Sequence, residues 1–314
     1  MNRGGKIKNV ICFIALTVTL SGCFTGIEST PRITATDVRR ENVQTTSPEQ
    51  LFGSTLVSDS LRSWSEGREF IVVDERIKLL FSSTPESSLP PVGDVISFAG
   101  VTPVKSLMGD TVTLMKFVTR QNPVDTLIYR IDASPSELYG RQTVNVPFVI
   151  DSVYIRKIDA MLSGMTLYPL TSTRYTADGQ RIRSRKFVPV KVIGVTSGNT
   201  DFPLRVNFSE PGGSTVHSML MSGGAGKLST RNFDSLFSLS DPREKYPAIS
   251  DKNWEAITNE TVLPDMTRDE CRLSLGRPAD VIHGHSYSST YERWVYTSGA
   301  VLEFEDGLLK KFRL

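Results

Sequence analysis

The chain has 314 residues, 39% of them hydrophobic and 22% charged, with a formal net charge of +2. That length allows two or three domains, and that apolar share supports packed cores rather than a disordered chain. The near-neutral balance implies no strongly basic face of the kind that nucleic-acid binding requires.

The chain opens with Arg3, Lys6 and Lys8, followed by an apolar run over residues 10–20. That run is one signal-peptide core in length and too short to span a bilayer permanently. Leu20-Ser21-Gly22-Cys23 follows: an aliphatic residue, two small residues and a cysteine. This resembles the bacterial lipobox. The resemblance implies that residues 1–22 are a lipoprotein signal peptide and that the Cys23 thiol takes a diacylglyceryl group. Each buried acyl CH₂ contributes ~0.8 kcal/mol to membrane binding, so two or three chains anchor the protein firmly. Phe24 stands where diderm lipoproteins retained in the inner membrane carry Asp, which implies the outer membrane, with either face open. Removing residues 1–22 takes away three positive charges and no acid, so the formal net charge falls from +2 to −1. Of three cysteines, Cys12 leaves and Cys23 is acylated. Cys271 alone remains, and no intrachain disulfide is expected.

Residues 23–49 read as a tether rich in Thr, Ser and charge. Its reach is ~25–30 Å as a flexible coil and up to ~85 Å fully extended. Residues 50–140 read as a β-rich domain. Runs at 67–73, 77–81, 95–101, 111–118 and 126–131 are strand-like and are punctuated by Gly and Pro. A second β-rich domain is expected over 141–210. Gly164-Met165-Thr166-Leu167 echoes the Gly67-Arg68-Glu69-Phe70 opening of the first, and Asp178-Gly179 predicts a hairpin turn. Residues 186–195 form an expected strand, and residues 204–208 alternate with period two. Residues 211–249 read as a Gly/Ser-rich linker with one short helix placing Phe233, Leu236 and Phe237 on a face, stopped at Asp241-Pro242.

The last segment, 250–314, carries the clearest local signals. Thr267 and Glu270 form a T-x-x-E capping box, with Met266 and Cys271 spaced as its hydrophobic staple. Gly276 and Pro278 end that helix after about two turns. Ser250 caps an earlier helix carrying Trp254 and Ile257. Strands at 291–296, 300–304 and 308–314 follow, the last pair joined by Asp306-Gly307. The pattern Met266-Thr267, Cys271, Leu275-Gly276, Pro278, Trp294-x-Tyr296 and Leu302-x-Phe304-x-Asp306-Gly307 resembles the SmpA/OmlA (BamE-like) domain. That family comprises small envelope lipoprotein modules with an ααβββ fold, and one member is an accessory subunit of the outer-membrane β-barrel assembly machine. The chain departs from the family at Asp265, where Gly is usual, and at Cys271, where an aliphatic residue is usual. The expected class is therefore α+β, mostly β: small β-barrel or sandwich domains, two of them SH3-like, then an ααβββ module.

Catalytic signals are sparse. The stretch around Lys227 resembles a phosphate-binding loop, but Met221 stands where its first Gly belongs and Leu228 where Ser or Thr belongs. His283 and His285 share a strand face, as a metal pair or as exposed side chains. Cys271 near a helix N-terminus is either an activated or a buried thiol. Trp254, Tyr291, Trp294 and Tyr296 are core residues or a ligand surface. Five Asp-Ser/Thr-aliphatic triplets, at Asp59, Asp110, Asp125, Asp151 and Asp234, resemble a periplasmic O-glycosylation pattern. No catalytic, cofactor or metal residue is assigned; Cys23 is the one assigned site. The reading is a non-enzymatic outer-membrane lipoprotein. It binds or scaffolds an envelope protein partner, with roles in outer-membrane protein assembly or envelope integrity. A cell-wall module holding peptidoglycan glycan or peptide, and an envelope hydrolase, are the alternatives.

Overall fold

A computed structural model describes residues 46–81, 89–106, 108–120, 126–224, 231–285 and 290–314. Cys23, Lys227 and most of the expected tether lie outside the described residues. The folded body starts earlier than expected, at Ser47, which caps helix α1 (Pro48–Thr55) in a reciprocal box with Gln50. Pro48 at the first helical position favours the same start. The chain is α+β and strand-rich, with seven α-helices, sixteen strands and three antiparallel sheets among the described residues.

The first sheet joins β1 (Glu69–Val72), β2 (Val95–Lys105), β3 (Thr111–Thr119), β4 (Thr126–Ile131) and β5 (Val149–Asp151) in the order β4-β3-β2-β1-β5. Its core gathers Phe70, Phe81, Phe98, Met115, Phe117 and Leu127. The run 77–81 is a helix here, α2 (Ile77–Leu80), and not a strand. Ile77 and Phe81 are buried while Leu79 is 68% exposed. The burial therefore follows a spacing of four residues, which only a helical turn satisfies. Helix α3 (Pro135–Gly140), capped by a Ser134/Glu137 box, leads into β5.

The second sheet contains β6 (Thr166–Pro169), β7 (Thr173–Tyr175), β8 (Arg181–Arg183), β9 (Val190–Ser197), β10 (Leu204–Ser209), β11 (His217–Met221) and β12 (Phe237–Ser238). Their order is β12-β6-β9-β10-β11-β7-β8. Asp178-Gly179 turns the β7–β8 hairpin with Gly179 at φ 84°. Without that hairpin, the order matches the first sheet: three strands meander away from an opening strand, and the last strand returns to its other side. Each unit has a short helix before that returning strand, α3 in the first and α5 (Phe233–Leu236) in the second. The opening glycines match as well. Gly67 and Gly164 have φ 84° and 80°. Gly67 N–H donates to Phe98 O while Phe98 N–H donates to Arg68 O; Gly164 and Val192 repeat this, with Val192 N–H donating to Met165 O.

Among the described residues neither sheet closes into a barrel. Helices and connectors cover the open faces instead. Helix α4 (Ser152–Leu162) buries Tyr154, Ile158 and Leu162 in the second core. Helix α1 reaches the same core, with Phe52 4.8 Å from Phe233 between ring centroids. Segments expected as linker also pack there. Strand β11 is buried at Met219, Leu220 and Met221, and Phe233, Leu236 and Phe237 are core residues. Strand β5, numbered with the second unit by sequence, pairs with β1 of the first.

The C-terminal unit runs α6 (Asp251–Thr258), α7 (Arg268–Leu275), β13 (Asp280–His285), β14 (Thr290–Val295), β15 (Val301–Glu305) and β16 (Leu308–Arg313). Four strands form the sheet, in sequential order, where three were expected. The extra strand, β13, starts directly after Pro278 and pairs with β14 along its whole length. The expected cap is present: Glu270 N–H donates to Thr267 Oγ1 at 3.2 Å and Thr267 N–H donates to Glu270 Oε2 at 2.7 Å. Met266 and Cys271 are both fully buried beside Trp294, Leu302 and Phe304. Lys186 and Phe187 of the central unit fasten this module. Lys186 Nζ donates to Leu273 O at 2.7 Å and Ser274 O at 2.6 Å, at the end of α7. The Phe187 ring stacks on Trp254 at 5.8 Å.

Candidate functional site

The first two units meet at a groove of about 510 Å³, a volume in the range of ligand sites. Trp64 forms part of its wall. The tight turn Leu61–Ser63 delivers this side chain, and Trp64 N–H closes the turn by donating to Leu61 O at 3.1 Å. Its ring packs against Phe70 at 5.0 Å and Phe98 at 5.4 Å. The indole Nε1 is buried and has no hydrogen-bond partner among the described residues. The connector from α3 to β5 supplies Gln142, Asn145 and Phe148, and the β9–β10 loop supplies Thr200 and Asp201.

Below the groove the units are joined by charge and by one close approach. Arg68 is 7% exposed. Its Nε and Nη2 donate to Asp151 Oδ2 at 3.0 and 2.5 Å, and Nη2 also donates to Asp59 Oδ2 at 3.1 Å. Burial opposes the Arg68 charge, but the two carboxylates outweigh it and raise its pKa. Asp59 also accepts from Lys157 Nζ at 2.9 Å, and that bond holds the Asp59 carboxyl below its ordinary range. Tyr154 donates its hydroxyl to Leu56 O at 3.0 Å. A Cβ on Gly223 would fall 1.8 Å from that hydroxyl, so only glycine fits there.

The carboxylates lining the groove are Asp151 and Asp201, and the Arg76 guanidinium lies 5.1 Å over the ring of the lining Phe148. Asp151 is spent on Arg68 and on capping α4, where it accepts from Val153 N–H at 2.9 Å. What remains facing the groove is aromatic surface, amide and hydroxyl groups, and one acid.

Two other polar clusters are structural in character. In the C-terminal module Glu292 accepts from Trp294 Nε1 at 3.1 Å and pairs with Arg268 at 3.0 Å, with His283 Nδ1 at 3.6 Å. In the second unit Arg174 is fully buried over Phe208 and bonds Glu210 and the Arg185 carbonyl. Burial, then the nearby Arg174 charge, lowers the pKa of His217.

The residues singled out by sequence therefore scatter. Trp254, Trp294 and Tyr296 are buried core, and Tyr291 is half-buried on β14. Cys271 is fully buried, and burial with the neighbouring Glu270 pushes its thiol up to about 12, so the activated-thiol alternative fails. His283 is exposed on β13 beside Glu292. Of the Asp-Ser/Thr triplets, Ser152 is sealed in the α4 cap, while Ser235 and Thr126 are exposed. The walls of the groove lie far apart in sequence, from Val57 to Gly223. The available signals were the S-x-x-Q and S-x-x-E boxes at Ser47 and Ser134, which bound the elements around it. Comparison of the chain with known protein families, curated proteins and solved structures finds no match.

Proposed function

We propose that this chain is a non-enzymatic lipoprotein, anchored in the outer membrane by an acylated Cys23, that binds or scaffolds another envelope component. The observation that carries the reading is Leu20-Ser21-Gly22-Cys23 directly behind a basic segment and an apolar run. The first helical cap stands at Ser47, so the segment between Cys23 and the body is long enough to lift that body off a lipid surface. The shared strand plan of the first two units supports reading them as tandem SH3-like modules. The capped α7 and the meander that follows support a BamE-like module, with β13 as an addition to the usual ααβββ order. In this reading the junction groove is the partner site, and its neutral, aromatic lining suits binding better than bond cleavage.

The test is intact-mass analysis and membrane fractionation of the wild type and of Cys23→Ser. The expected product lacks residues 1–22, carries a diacylglyceryl-class mass increment and sediments with outer membranes, while the variant is released. An unmodified wild-type N-terminus would overturn the anchoring.

A further inference from the structure

The near-neutral total of the chain conceals a local imbalance. Residues 152–240, from α4 past β12, carry eleven Lys and Arg against five Asp and Glu. The seven strands of the second sheet hold five Lys or Arg and no Asp or Glu. The first sheet, by contrast, sets Glu69 and Asp151 among its bases, and the C-terminal sheet sets Glu292 and Glu303 among its own. One of the five cations, Arg174, is fully buried on the core side over Phe208. Register sends the other four to the opposite face. Gly194, Asn207, Ser218, Tyr175 and Arg181 pair in one continuous row across β9, β10, β11, β7 and β8. Arg205 and Arg183 stand two residues from that row on the same face. Lys191 lies between the buried Val190 and Val192, so it points the same way.

Neutral groups hold two of these guanidinia to the sheet. Arg205 Nη1 donates to Ser218 Oγ at 3.2 Å, and Arg181 Nη2 donates to Thr173 Oγ1 at 3.4 Å. Arg181, Arg183 and Lys191 are exposed, and Arg205 is half-buried. Glu210, which directly follows β10, is spent on Arg174 and Arg185. The face therefore carries positive charge with no acid of its own strands to answer it.

Three of the four cations are Arg, whose planar fork meets phosphate oxygens two at a time. They are spread over five strands, about 19 Å at the usual strand spacing. That breadth suits an array of headgroups better than one isolated phosphate. Helix α1 packs on the core of this same unit, so an anchor at Cys23 keeps this sheet within the tether's reach of a bilayer.

We propose that the outward face of the second sheet docks the body onto anionic phospholipid headgroups, with Arg181, Arg183, Arg205 and Lys191 contacting phosphate. This rests on the anchored reading above for its nearness to lipid. The acyl chains hold the protein, and the face decides which side of the body meets the bilayer. Each base near an anionic surface strengthens that contact about fivefold.

The test mixes the full-length protein purified from membranes with vesicles of pure phosphatidylcholine, or of equal parts phosphatidylcholine and phosphatidylglycerol. Flotation with the pure phosphatidylcholine vesicles reports the anchor, and its failure counts against the lipoprotein reading alone. An unanchored protein should still float with the mixed vesicles. Amide exchange in β7, β8 and β10 should be at least fivefold slower on the mixed vesicles, and high salt should remove the difference. Arg181→Glu combined with Arg183→Glu should remove it too. Lys311→Glu combined with Arg313→Glu, on the C-terminal sheet, should leave it unchanged. Should the first double variant misfold, the salt response of the wild type decides. The proposal is overturned if both vesicle types protect β7 and β8 equally, or if the Lys311 and Arg313 reversals abolish the protection. It is equally overturned if a poly-glutamate peptide or an RNA oligonucleotide slows exchange there and phosphatidylglycerol does not.

Discussion

The contact between Lys186 and the end of α7 makes a prediction with a definite pH signature. Lys186 is 6% exposed, and burial pushes its amine down to about 8 from 10.5. Its two acceptors, the carbonyls of Leu273 and Ser274, lie at the negative end of α7 and favour the charged form. Between pH 8 and 10.5 the unfolded chain holds more protons on this residue than the folded one. Stability contributed here therefore rises with pH across that window. From pH 8 to 9.5 the rise is at most about 2 kcal/mol, at ~1.4 kcal/mol per pH unit. Lys186→Met removes both bonds and leaves two carbonyls unmatched, which costs roughly 1–3 kcal/mol, partly offset by the lost burial of a charge. Urea unfolding followed by tryptophan fluorescence reads this well, since Trp254 and Trp294 both lie in the C-terminal core. The wild type should gain on the variant by about 1–2 kcal/mol between pH 8 and 9.5. Parallel stability curves for the two proteins over that range would show that Lys186 carries no such coupling.

Other outcomes follow from the same geometry. Cys271 should resist maleimide at pH 8 in the native protein and react fully in urea, because burial keeps its thiol protonated; rapid native labelling would contradict the buried staple. Arg68→Ala strands Asp151 at the unit junction and should cost about 3–5 kcal/mol by thermal or chemical unfolding. Lys157→Ala, at the more exposed end of the same network, should cost about 1 kcal/mol or less. Lowering the pH below about 4 should loosen this junction early. The Asp59 carboxyl has a lowered pKa, so its contribution is present above the ordinary Asp range and is lost on acidification. Glu270→Ala should cost about 2–3 kcal/mol, since Glu270 closes the α7 cap and accepts from Asn253 Nδ2 at 2.8 Å, while Glu270→Gln should recover part of it.

Local chemistry was legible where one side chain answers another a few residues away. The Thr267 box, the Asp178-Gly179 and Asp306-Gly307 turns, and the alternation of 204–208 all appear where the residues placed them. The short apolar run 77–81 was ambiguous, because five residues fit a helical turn or a strand equally until burial decides. Helix α4 carries a helical spacing at Tyr154, Ile158 and Leu162, but it starts directly after β5 and strand signals surround it. The glycines flanking β11 gave 211–249 the composition of a linker, although the strand between them is core. The groove was not legible at all. It depends on residues 142–146 standing opposite residues 200–223, and no local pattern encodes that meeting.

Helix α1 packs on the second unit, not in sequence order. Phe52 lies against Phe233, and Glu49 accepts from Ser238 Oγ and Leu239 N–H, each at 3.2 Å, nearly two hundred residues downstream. Tension applied from the N-terminal side at Thr46 therefore enters the middle of the molecule and bypasses the first β unit. The second core also cannot be sealed until the chain has been delivered past Phe233, so a nascent or truncated product ending before it leaves Phe52 without that partner.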